Sequence, residues 1–197
     1  WNGLVMARKA KGYTEQELKD AGLVSEKGGR IYDRFRNRLM FPIIDVRGNI
    51  IGFGGRVMDD STPKYLNSPE TVIFNKRKNL FALNIARKSK LGYLILVEGY
   101  MDVVAITQAG VTGAVATLGT SLTNEQARLL KRYAPEVWIA YDGDEAGQHA
   151  IERALGIFES ESIPAKVLYF PDGLDPDEFI RQRGLEAFLA IRPMSAV

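Results

Sequence analysis

Apolar and polar positions in the second half of the chain follow a pattern that predicts strands and helices in turn. From Leu91 onward, runs of β-favouring apolar residues predict strands over 93–98, 114–117, 136–141 and 165–170. Segments with helical spacing begin near residues 100, 123 and 145. The stretch from Thr123 to Gln126 also has the capping-box pattern of a helix start. This alternation predicts an α/β fold with a mostly parallel, Rossmann-like sheet flanked by helices.

The first ninety residues have a less regular pattern, typical of an α+β segment. Thr14 to Glu17 forms another capping-box pattern, and Ala21-Gly22 indicates the end of that helix. Asp45 to Ile51 has hairpin character, and the glycine-rich run 52–56 continues it. Further on, the pattern predicts a loop held by two prolines over 61–71 and a helical stretch over 80–86.

Composition places the chain among ordinary soluble globular proteins. Its 197 residues are 46% hydrophobic and 25% charged, and no apolar run approaches the length of a membrane span. The absence of cysteine excludes disulfides and fits a cytoplasmic location, and with a single histidine it argues against a zinc site. Because the sequence opens at Trp1 rather than Met, we expect it to be a fragment of a longer protein.

The net charge of +2 conceals a strong asymmetry along the chain. Residues 1–90 carry 18 Lys and Arg against 9 Asp and Glu, whereas the remainder carries 8 against 15. A basic half joined to an acidic half suggests a phosphate-binding surface and a metal-binding one.

Carboxylates follow three of the predicted strands. Glu98 ends the first, Asp142 and Asp144 follow the third, and an acidic cluster with Asp175 and Asp177 follows the fourth. A lone Asp-x-Asp is more typical of a turn that caps a helix, but three acidic strand ends at one sheet edge form a hard-oxygen site. Mg²⁺ is the cation that prefers a few carboxylates plus substrate phosphates.

Basic residues concentrate in the first half, where they suggest anion binding. On a predicted strand, Arg34, Arg36 and Arg38 would set three guanidiniums on one face, an arrangement suited to phosphates. The run Gly52 to Arg56 lacks the helix and acid of a dinucleotide fingerprint, and close approach to a polyanion explains it more simply. The predicted loop over 61–71 contains the cation Lys64, the aromatic ring of Tyr65 and the amide of Asn67, and Lys76 follows the loop as a second cation. Cations, stacking rings and amides of this kind bind single-stranded nucleic acid.

Two other features have weaker interpretations. The segment Leu118 to Ser121 lies between a strand and a helix, so its amides and hydroxyls either face the acidic edge or form a structural turn, and the turn is favoured. His149 has no second ligand at a suitable spacing and is assigned no role.

With these residues in hand, the chain resembles the RNA-polymerase core of bacterial replicative primases of the DnaG type. The resemblance runs from about Tyr32 to the end and rests on residues 32–38, 52–56, 62–71, 97–102, 141–144 and 175–177. The Glu-Gly and Asp-x-Asp pair alone resembles the wider Toprim superfamily, and the basic motifs indicate primase. The resemblance to primases implies a basic nucleic-acid-binding subdomain over 1–90, a Toprim domain over 91–172 and the start of a helical subdomain over 173–197.

The resemblance also implies an activity and a set of functional residues. It implies synthesis of RNA primers on single-stranded DNA from ribonucleoside triphosphates with Mg²⁺ or Mn²⁺, and no zinc in this fragment. Catalysis would involve Glu98, Asp142 and Asp144, and the metal ligands would be Glu98, Asp102, Asp142, Asp144, Asp175 and Asp177. Template, primer or nucleotide would be bound by Arg34, Arg36, Arg38, Arg56, Lys64, Tyr65, Asn67 and Lys76. A zinc module and a helicase-interacting domain would lie outside this sequence, so the fragment alone would prime weakly or not at all.

Two alternatives stay open at this point. One is a piece of a Toprim nuclease or topoisomerase, although a topoisomerase needs a nucleophilic tyrosine in another domain. The other is a non-catalytic module that binds single strands through its basic half, with the acids acting only as helix caps. Substitution of Asp142 and Asp144 separates the two classes, because a pure binding module would keep its DNA affinity.

Overall fold

The computed structural model describes residues 1–195, and the chain divides into two compact units. Unit 1 comprises Trp1–Ile44 and Asn49–Asn75, and unit 2 comprises Asp45–Gly48 and the chain from Lys76 onward. The chain is α/β, as predicted: antiparallel sheets come first and a mostly parallel sheet follows. Each unit is described by itself below.

Unit 1 contains two short helices and two antiparallel sheets. The helices are α1 (Gly3–Lys9) and α2 (Glu15–Asp20). A two-stranded sheet is formed by β1 (Val24–Lys27) and β2 (Arg30–Asp33). A three-stranded sheet has the order β3 (Arg38–Ile44), β4 (Ile50–Val57) and β5 (Tyr65–Asn67). The predicted loop over 61–71 therefore contains a short edge strand.

Local sequence signals explain several of these boundaries. The Thr14 hydroxyl accepts from the Glu17 amide at 3.2 Å, and the Glu17 carboxylate accepts from the Thr14 amide at 2.7 Å, which confirms the capping box at the start of α2. Gly22 follows the helix at φ 67°, a conformation that glycine adopts readily. Gly48 at φ 98° closes the turn between β3 and β4, as the predicted hairpin requires.

Unit 2 is built on a five-stranded sheet with the order β10-β9-β8-β6-β7. Its strands are β6 (Tyr93–Val97), β7 (Ala114–Ala116), β8 (Glu136–Ile139), β9 (Ala165–Val167) and β10 (Met194–Ser195). Its helices are α3 (Leu83–Ala86), α4 (Tyr100–Gln108), α5 (Asn124–Lys131), α6 (Glu145–Ser160) and α7 (Pro176–Ala190), the last interrupted at Gly184. Strands β6 to β9 run parallel, and only β10 is antiparallel to its neighbour.

The predicted strands and helices of unit 2 are confirmed, with shorter strands and one shorter helix. Helix α3 covers only four residues of the predicted 80–86 stretch, because Ala82 adopts a left-handed conformation at φ 63°. Strands β8 and β9 end two and three residues earlier than predicted. Within residues 1–195, none of the helices is long and apolar enough to cross a bilayer.

The core of unit 2 includes residues of the central strands and of α6. Leu94, Leu96, Val137 and Ile139 are at most 1% exposed and pack with Phe158 of α6. The strands read as continuous apolar runs because burial covers most of their length. Since β6, β8 and β9 are parallel neighbours, their carboxyl ends lie at the same edge of the sheet.

Candidate functional site

Three carboxylates lie directly after the two central strands of the parallel sheet. Glu98 is the first residue after β6, and Asp142 and Asp144 follow the end of β8 by a few residues. The backbone amide of Asp142 donates to Oε1 of Glu98 at 3.3 Å, so the two strand ends are linked directly. The predicted convergence of these acids at one sheet edge is therefore observed.

The third acidic group reaches the same edge through α7. Asp102, in the first turn of α4, accepts from the amides of Gly99 at 3.0 Å and Asp177 at 3.4 Å. Asp177 also forms an ion pair with Arg181 at 2.8 Å. Asp102 is only 7% exposed, so this carboxylate is held in a buried position between two helix starts.

Two of the acids cap helices, as predicted by the alternative of a non-catalytic binding module. Asp144 is the N-cap of α6 and accepts from the Gly147 amide at 2.7 Å. Asp175 is the N-cap of α7 and accepts from the Glu178 amide at 2.6 Å. Capping alone does not require the acids to lie near one another, but repulsion from neighbouring carboxylates contributes to the raised pKa of Glu98, Asp102 and Asp142.

Burial and mutual repulsion raise the pKa of the central carboxyls. Burial is the main cause at Asp142, with repulsion from Glu98 next, and the pKa rises to about 7. Burial and then repulsion from Asp175 raise the pKa of Asp102 to about 6. The pKa of Glu98 is also raised by burial, against the opposing hydrogen bond from the Asp142 amide. These acids therefore form an acidic cluster in which neighbouring carboxylates repel one another, and the charge of Arg153 partly offsets that repulsion at Glu98.

The donor set of this cluster suits a hard divalent cation. It consists of carboxylate oxygens, the ligands that Mg²⁺ and Mn²⁺ prefer, and cysteine is absent from the sequence. His149 lies on α6 beside Glu145 and Glu152, with nitrogen-to-oxygen distances of 4.0 and 3.6 Å, and its ring is largely exposed. Across the described residues, no three acid, histidine or cysteine side chains converge tightly enough to enclose a metal by themselves. An ion at this edge would therefore need water and substrate oxygens to complete its coordination, as is usual for Mg²⁺.

Two glycines that sequence reasoning passed over determine the geometry of this edge. A Cβ atom on Gly147 would lie 2.1 Å from the carbonyl oxygen of Asp142. A Cβ atom on Gly143 would lie 2.9 Å from Cα of Gly173, in the segment that precedes Asp175. The short Asp-Gly-Asp spacing was visible in the sequence, but the contacts that require glycine are tertiary.

The predicted strand carrying three arginines on one face is wrong. Strand β2 ends at Asp33 and β3 begins at Arg38, and Asn37 has a positive φ of 50° that breaks the extended conformation. Arg34 and Arg36 therefore lie in the connection, and only Arg38 lies on a strand.

Each of these arginines has a different set of contacts in unit 1. Arg34 donates through Nε and Nη2 to the carbonyl of Asn67, at 3.2 and 2.8 Å. Arg36 lies over the rings of Trp1 and Tyr32, 4.8 and 4.9 Å from their centroids. Arg38 donates to three carbonyls, those of Gly55, Pro63 and Lys64. Their guanidiniums thus organise the backbone of unit 1, a role that the sequence did not suggest.

Side chains of the protein itself occupy the space beside two glycines of the run 52–56. A Cβ on Gly52 would lie 3.2 Å from the ring of Phe74, and one on Gly55 would lie 3.0 Å from side-chain atoms of Arg38 and Phe35. These glycines make room for neighbouring side chains, so the interpretation as a polyanion contact lacks support at these two positions.

The remaining basic and polar candidates occupy strands, a loop and a 3₁₀ turn. Arg56 on β4 pairs with Tyr65 on β5, and its guanidinium lies 5.9 Å from the tyrosine ring. Within the described part of the chain, the buried Nε of Arg56 has no hydrogen-bond partner. Lys64 is exposed beside them, and Asn67 ends β5. Lys76 belongs to unit 2, where its carbonyl accepts from Gln126 at 2.9 Å.

Comparison with known proteins gives two family matches and a set of similar chains. Residues 1–87 match the family described as DNA primase catalytic core, N-terminal domain, and residues 95–180 match the family described as Toprim-like. The chain is 54% identical over 192 residues to the DNA primase of Clostridium acetobutylicum, across 97% of this chain and 32% of that protein. It thus spans about a third of the length of the curated relatives it matches.

Solved structures agree with these matches. The RNA polymerase domain of Mycobacterium tuberculosis primase DnaG superposes with a TM-score of 0.89 at 33% identity, covering 99% of this chain and 68% of that one. A DnaG primase catalytic domain bound to ssDNA superposes with a TM-score of 0.86 at 46% identity, covering 94% of this chain and 62% of that one. Both structures are similar to this chain along nearly its full length.

Proposed function

This chain belongs to the DnaG-type family of bacterial primases, within the catalytic core, and from this membership we propose that it takes part in RNA primer synthesis on single-stranded DNA. The observation that supports the proposal best is the acidic cluster at the carboxyl ends of β6 and β8. The cluster lies in the part of the chain that matches the Toprim-like family. The reaction class is nucleotidyl transfer, in which a ribonucleoside triphosphate extends a growing strand and pyrophosphate leaves.

The acids have distinct tasks in this proposal. Glu98, Asp142 and Asp144 form the catalytic group, and together with Asp102, Asp175 and Asp177 they provide the ligands for Mg²⁺ or Mn²⁺. Such ions supply charge neutralisation for the phosphates and activation of the attacking hydroxyl. The chain's own contribution is to hold the carboxylates by backbone amides, as at Glu98 and Asp102, so that they stay together despite repulsion.

The basic residues of the first half are proposed to hold template, primer or nucleotide. Lys64 is exposed and Tyr65 is 36% exposed, and each can contact a nucleic acid without rearrangement of the core. Arg56 with its buried Nε, Asn67 and Lys76 complete the group. For Arg34, Arg36 and Arg38 the proposal is narrower: their guanidiniums donate to backbone carbonyls of unit 1, and their charge adds to the attraction of this surface for phosphates.

Partners of the longer protein are also part of the proposal. A zinc module and the replicative helicase would act through regions beyond this stretch, since the chain covers 32% of a curated relative. A relative described as bound to ssDNA supports single-stranded DNA as the template ligand.

Primer synthesis with labelled ribonucleotides on a single-stranded template tests this function. Asp142→Ala is compared with Glu186→Ala, an exposed acid on α7 that lies outside the cluster. Short RNA products that vanish only in Asp142→Ala would support the proposal. This chain spans about a third of its curated relatives, and regions needed for priming can lie outside it. The same pair of variants is therefore also tested in the full-length protein that contains this chain.

The capping roles of Asp144 and Asp175 favour one other candidate, a binding module without catalysis. It predicts unchanged single-stranded DNA affinity for Asp142→Ala and no RNA product from the full-length protein. That combination of results would replace the proposed function.

A further inference from the structure

A cavity of about 460 Å³ opens in unit 2 beside the acidic cluster. Its walls come from the segments that follow β6, β7 and β8 and from one face of α6. The volume falls within the range of small-molecule sites, and the carboxyl ends of parallel strands are where α/β sheets bind ligands. Among the proposed metal ligands, Glu98 lines this cavity.

Arg153 is the basic residue that lines this cavity. Glu98 and Tyr141 line the same cavity, and the charge of Arg153 opposes the burial that raises the pKa of the Glu98 carboxyl and of the Tyr141 phenol. In residues 1–195 Arg153 makes no hydrogen bond or ion pair, in contrast to Arg181 and Arg183 on α7, which pair with Asp177 and Asp172. A guanidinium that faces a cavity without a partner is a forked donor available to a ligand.

The segment after β7 adds hydroxyl donors to the cavity lining. Thr120 and Ser121 are exposed, line the cavity and form no hydrogen bonds within the described part of the chain. Gly119 precedes them at φ 76°, which turns the chain after β7. The rest of the lining on α6 is apolar: Ala146, Ala150 and Ala154 lie one turn apart, and Ile157 follows them. The cavity thus combines one guanidinium and two hydroxyls with an apolar face of α6.

We propose that this cavity binds a phosphate group, with Arg153 as its forked donor and the hydroxyls of Thr120 and Ser121 as further donors. The inference rests on the proposed function, in which a nucleoside triphosphate is consumed and pyrophosphate is released, so the phosphate has two possible carriers. Because the Glu98 carboxylate lines the same cavity, it opposes an anion there, and a divalent cation that neutralises it strengthens phosphate binding.

The test is calorimetric titration of the whole chain with three probes: inorganic pyrophosphate, guanosine triphosphate and guanosine. Each titration is done with EDTA and with Mg²⁺. Arg153→Met is compared with Arg132→Met, which removes another exposed arginine, at the end of α5 and outside the cavity lining. Arg153→Lys keeps the charge and loses the fork, and Thr120→Val with Ser121→Ala removes the hydroxyls. Circular dichroism of each variant establishes that it is folded.

The expected result is that Arg153→Met weakens binding of phosphate-bearing probes about tenfold in both conditions, as loss of a charge-assisted donor pair implies. Arg132→Met should bind like the unmodified chain, and Arg153→Lys should fall between. An effect on both pyrophosphate and the triphosphate identifies phosphate from either source as the ligand, and an effect on the triphosphate alone identifies the bound nucleotide as its carrier.

Several results would overturn the inference. These are equal affinities of Arg153→Met and Arg132→Met, no binding of either phosphate probe by the unmodified chain, or an equal loss of guanosine binding. To separate the two proposals, primer synthesis is measured with the same substitutions in the full-length protein that contains this chain, because the chain spans about a third of its curated relatives. Primer synthesis with unchanged phosphate affinity in Arg153→Met rejects only the cavity, whereas Arg153-dependent phosphate binding without any primer synthesis rejects only the proposed function.

Discussion

The amide of Asp142 donates to the carboxylate of Glu98 at 3.3 Å, which joins the ends of the parallel strands β8 and β6. Similar amide contacts hold Asp102, Asp144 and Asp175. The positive ends of these backbone N–H dipoles therefore point at the carboxylates and stabilise several negative charges at one sheet edge. Their stabilisation is incomplete, because burial still raises the pKa of Asp142 to about 7.

The raised pKa of Asp142 predicts a stability that falls as pH rises. The folded state binds the proton more tightly than the unfolded state, so stability is fully present below the unfolded pKa of 3.8 and is lost as pH approaches about 7. Asp142→Asn removes this loss. In EDTA near neutral pH and above, we expect the variant to be more stable than the unmodified chain by on the order of 2 kcal/mol. Urea unfolding at a series of pH values measures the difference.

In the presence of divalent cations, the unmodified chain should become more stable than Asp142→Asn. Mg²⁺ that binds the cluster stabilises the unmodified chain at neutral pH and has little effect on Asp142→Asn. Glu186→Gln, which neutralises an exposed acid on α7, serves as the control and should follow the unmodified chain in both conditions. Equal pH profiles for Asp142→Asn and Glu186→Gln would show that Asp142 is not destabilised by its surroundings.

Gly147→Ala should disrupt the acidic edge although it adds a single methyl group. Its Cβ would lie 2.1 Å from the Asp142 carbonyl oxygen, so either α6 or the Asp142 segment must move. We expect a loss of stability of about 1–3 kcal/mol and weaker Mg²⁺-dependent stabilisation. Gly156→Ala is the matched control on the same helix, because nothing lies within 4 Å of its Cβ position. Alanine there should be neutral or stabilise by about 0.5–1 kcal/mol. Thermal unfolding of both variants, with and without Mg²⁺, gives the comparison.

Much of unit 2 could be predicted from the sequence for a physical reason. Strands buried on both faces leave long apolar runs, and helices between them leave a 3.6-residue period, so β6 to β9 and α4 to α6 were evident. In a parallel sheet the carboxyl ends of neighbouring strands share an edge, so the sequence also predicted that Glu98 and Asp142 lie at one edge. The domain boundaries at 90 and 172 stay a prediction, and so do the individual roles of the acids and basic residues.

The arginine segment shows where sequence reasoning failed. Alternation of Arg34, Phe35 and Arg36 has the period of a strand, but the chain leaves β2 at Asp33 and turns at Asn37. The partners that make this turn stable, such as the Asn67 carbonyl for Arg34, lie more than thirty residues away. Long-range hydrogen bonds of this kind leave no local pattern. For the same reason, nothing near Arg153 in the sequence indicated its cavity.

Arg34 and Lys64 should differ in what they contribute to unit 1. Arg34 is half-buried, burial lowers its pKa, and it donates twice to the Asn67 carbonyl. Arg34→Met should therefore destabilise the protein by roughly 1–3 kcal/mol. Lys64→Met removes an exposed charge and should leave stability within about 0.5 kcal/mol. It should weaken binding of single-stranded DNA and reduce the salt slope by about 0.7. Urea unfolding and fluorescence anisotropy at several salt concentrations distinguish the two residues, and a destabilised Lys64→Met would contradict the assignment.

Gln126 should be the most sensitive polar side chain in the part of unit 2 that holds Lys76. It is 0% exposed, and its Nε2 donates to the carbonyls of Lys76 and Asn79 at 2.9 and 2.8 Å. Its Oε1 accepts from the Thr123 amide at 3.0 Å, which completes the capping box of α5.

Gln126→Ala leaves two carbonyls and one amide without these partners and opens a cavity, so we expect a loss of about 2–4 kcal/mol. Gln148→Ala is the control, because Gln148 is exposed on α6 and should change stability by no more than about 0.5 kcal/mol. Since Gln126 holds the backbone on which Lys76 is carried, nucleotide affinity should also fall in Gln126→Ala at temperatures where the variant stays folded. Equal stability of the two variants would mean that the Lys76 turn is held by other contacts, and the proposed placement of Lys76 for nucleotide binding would lose its structural basis.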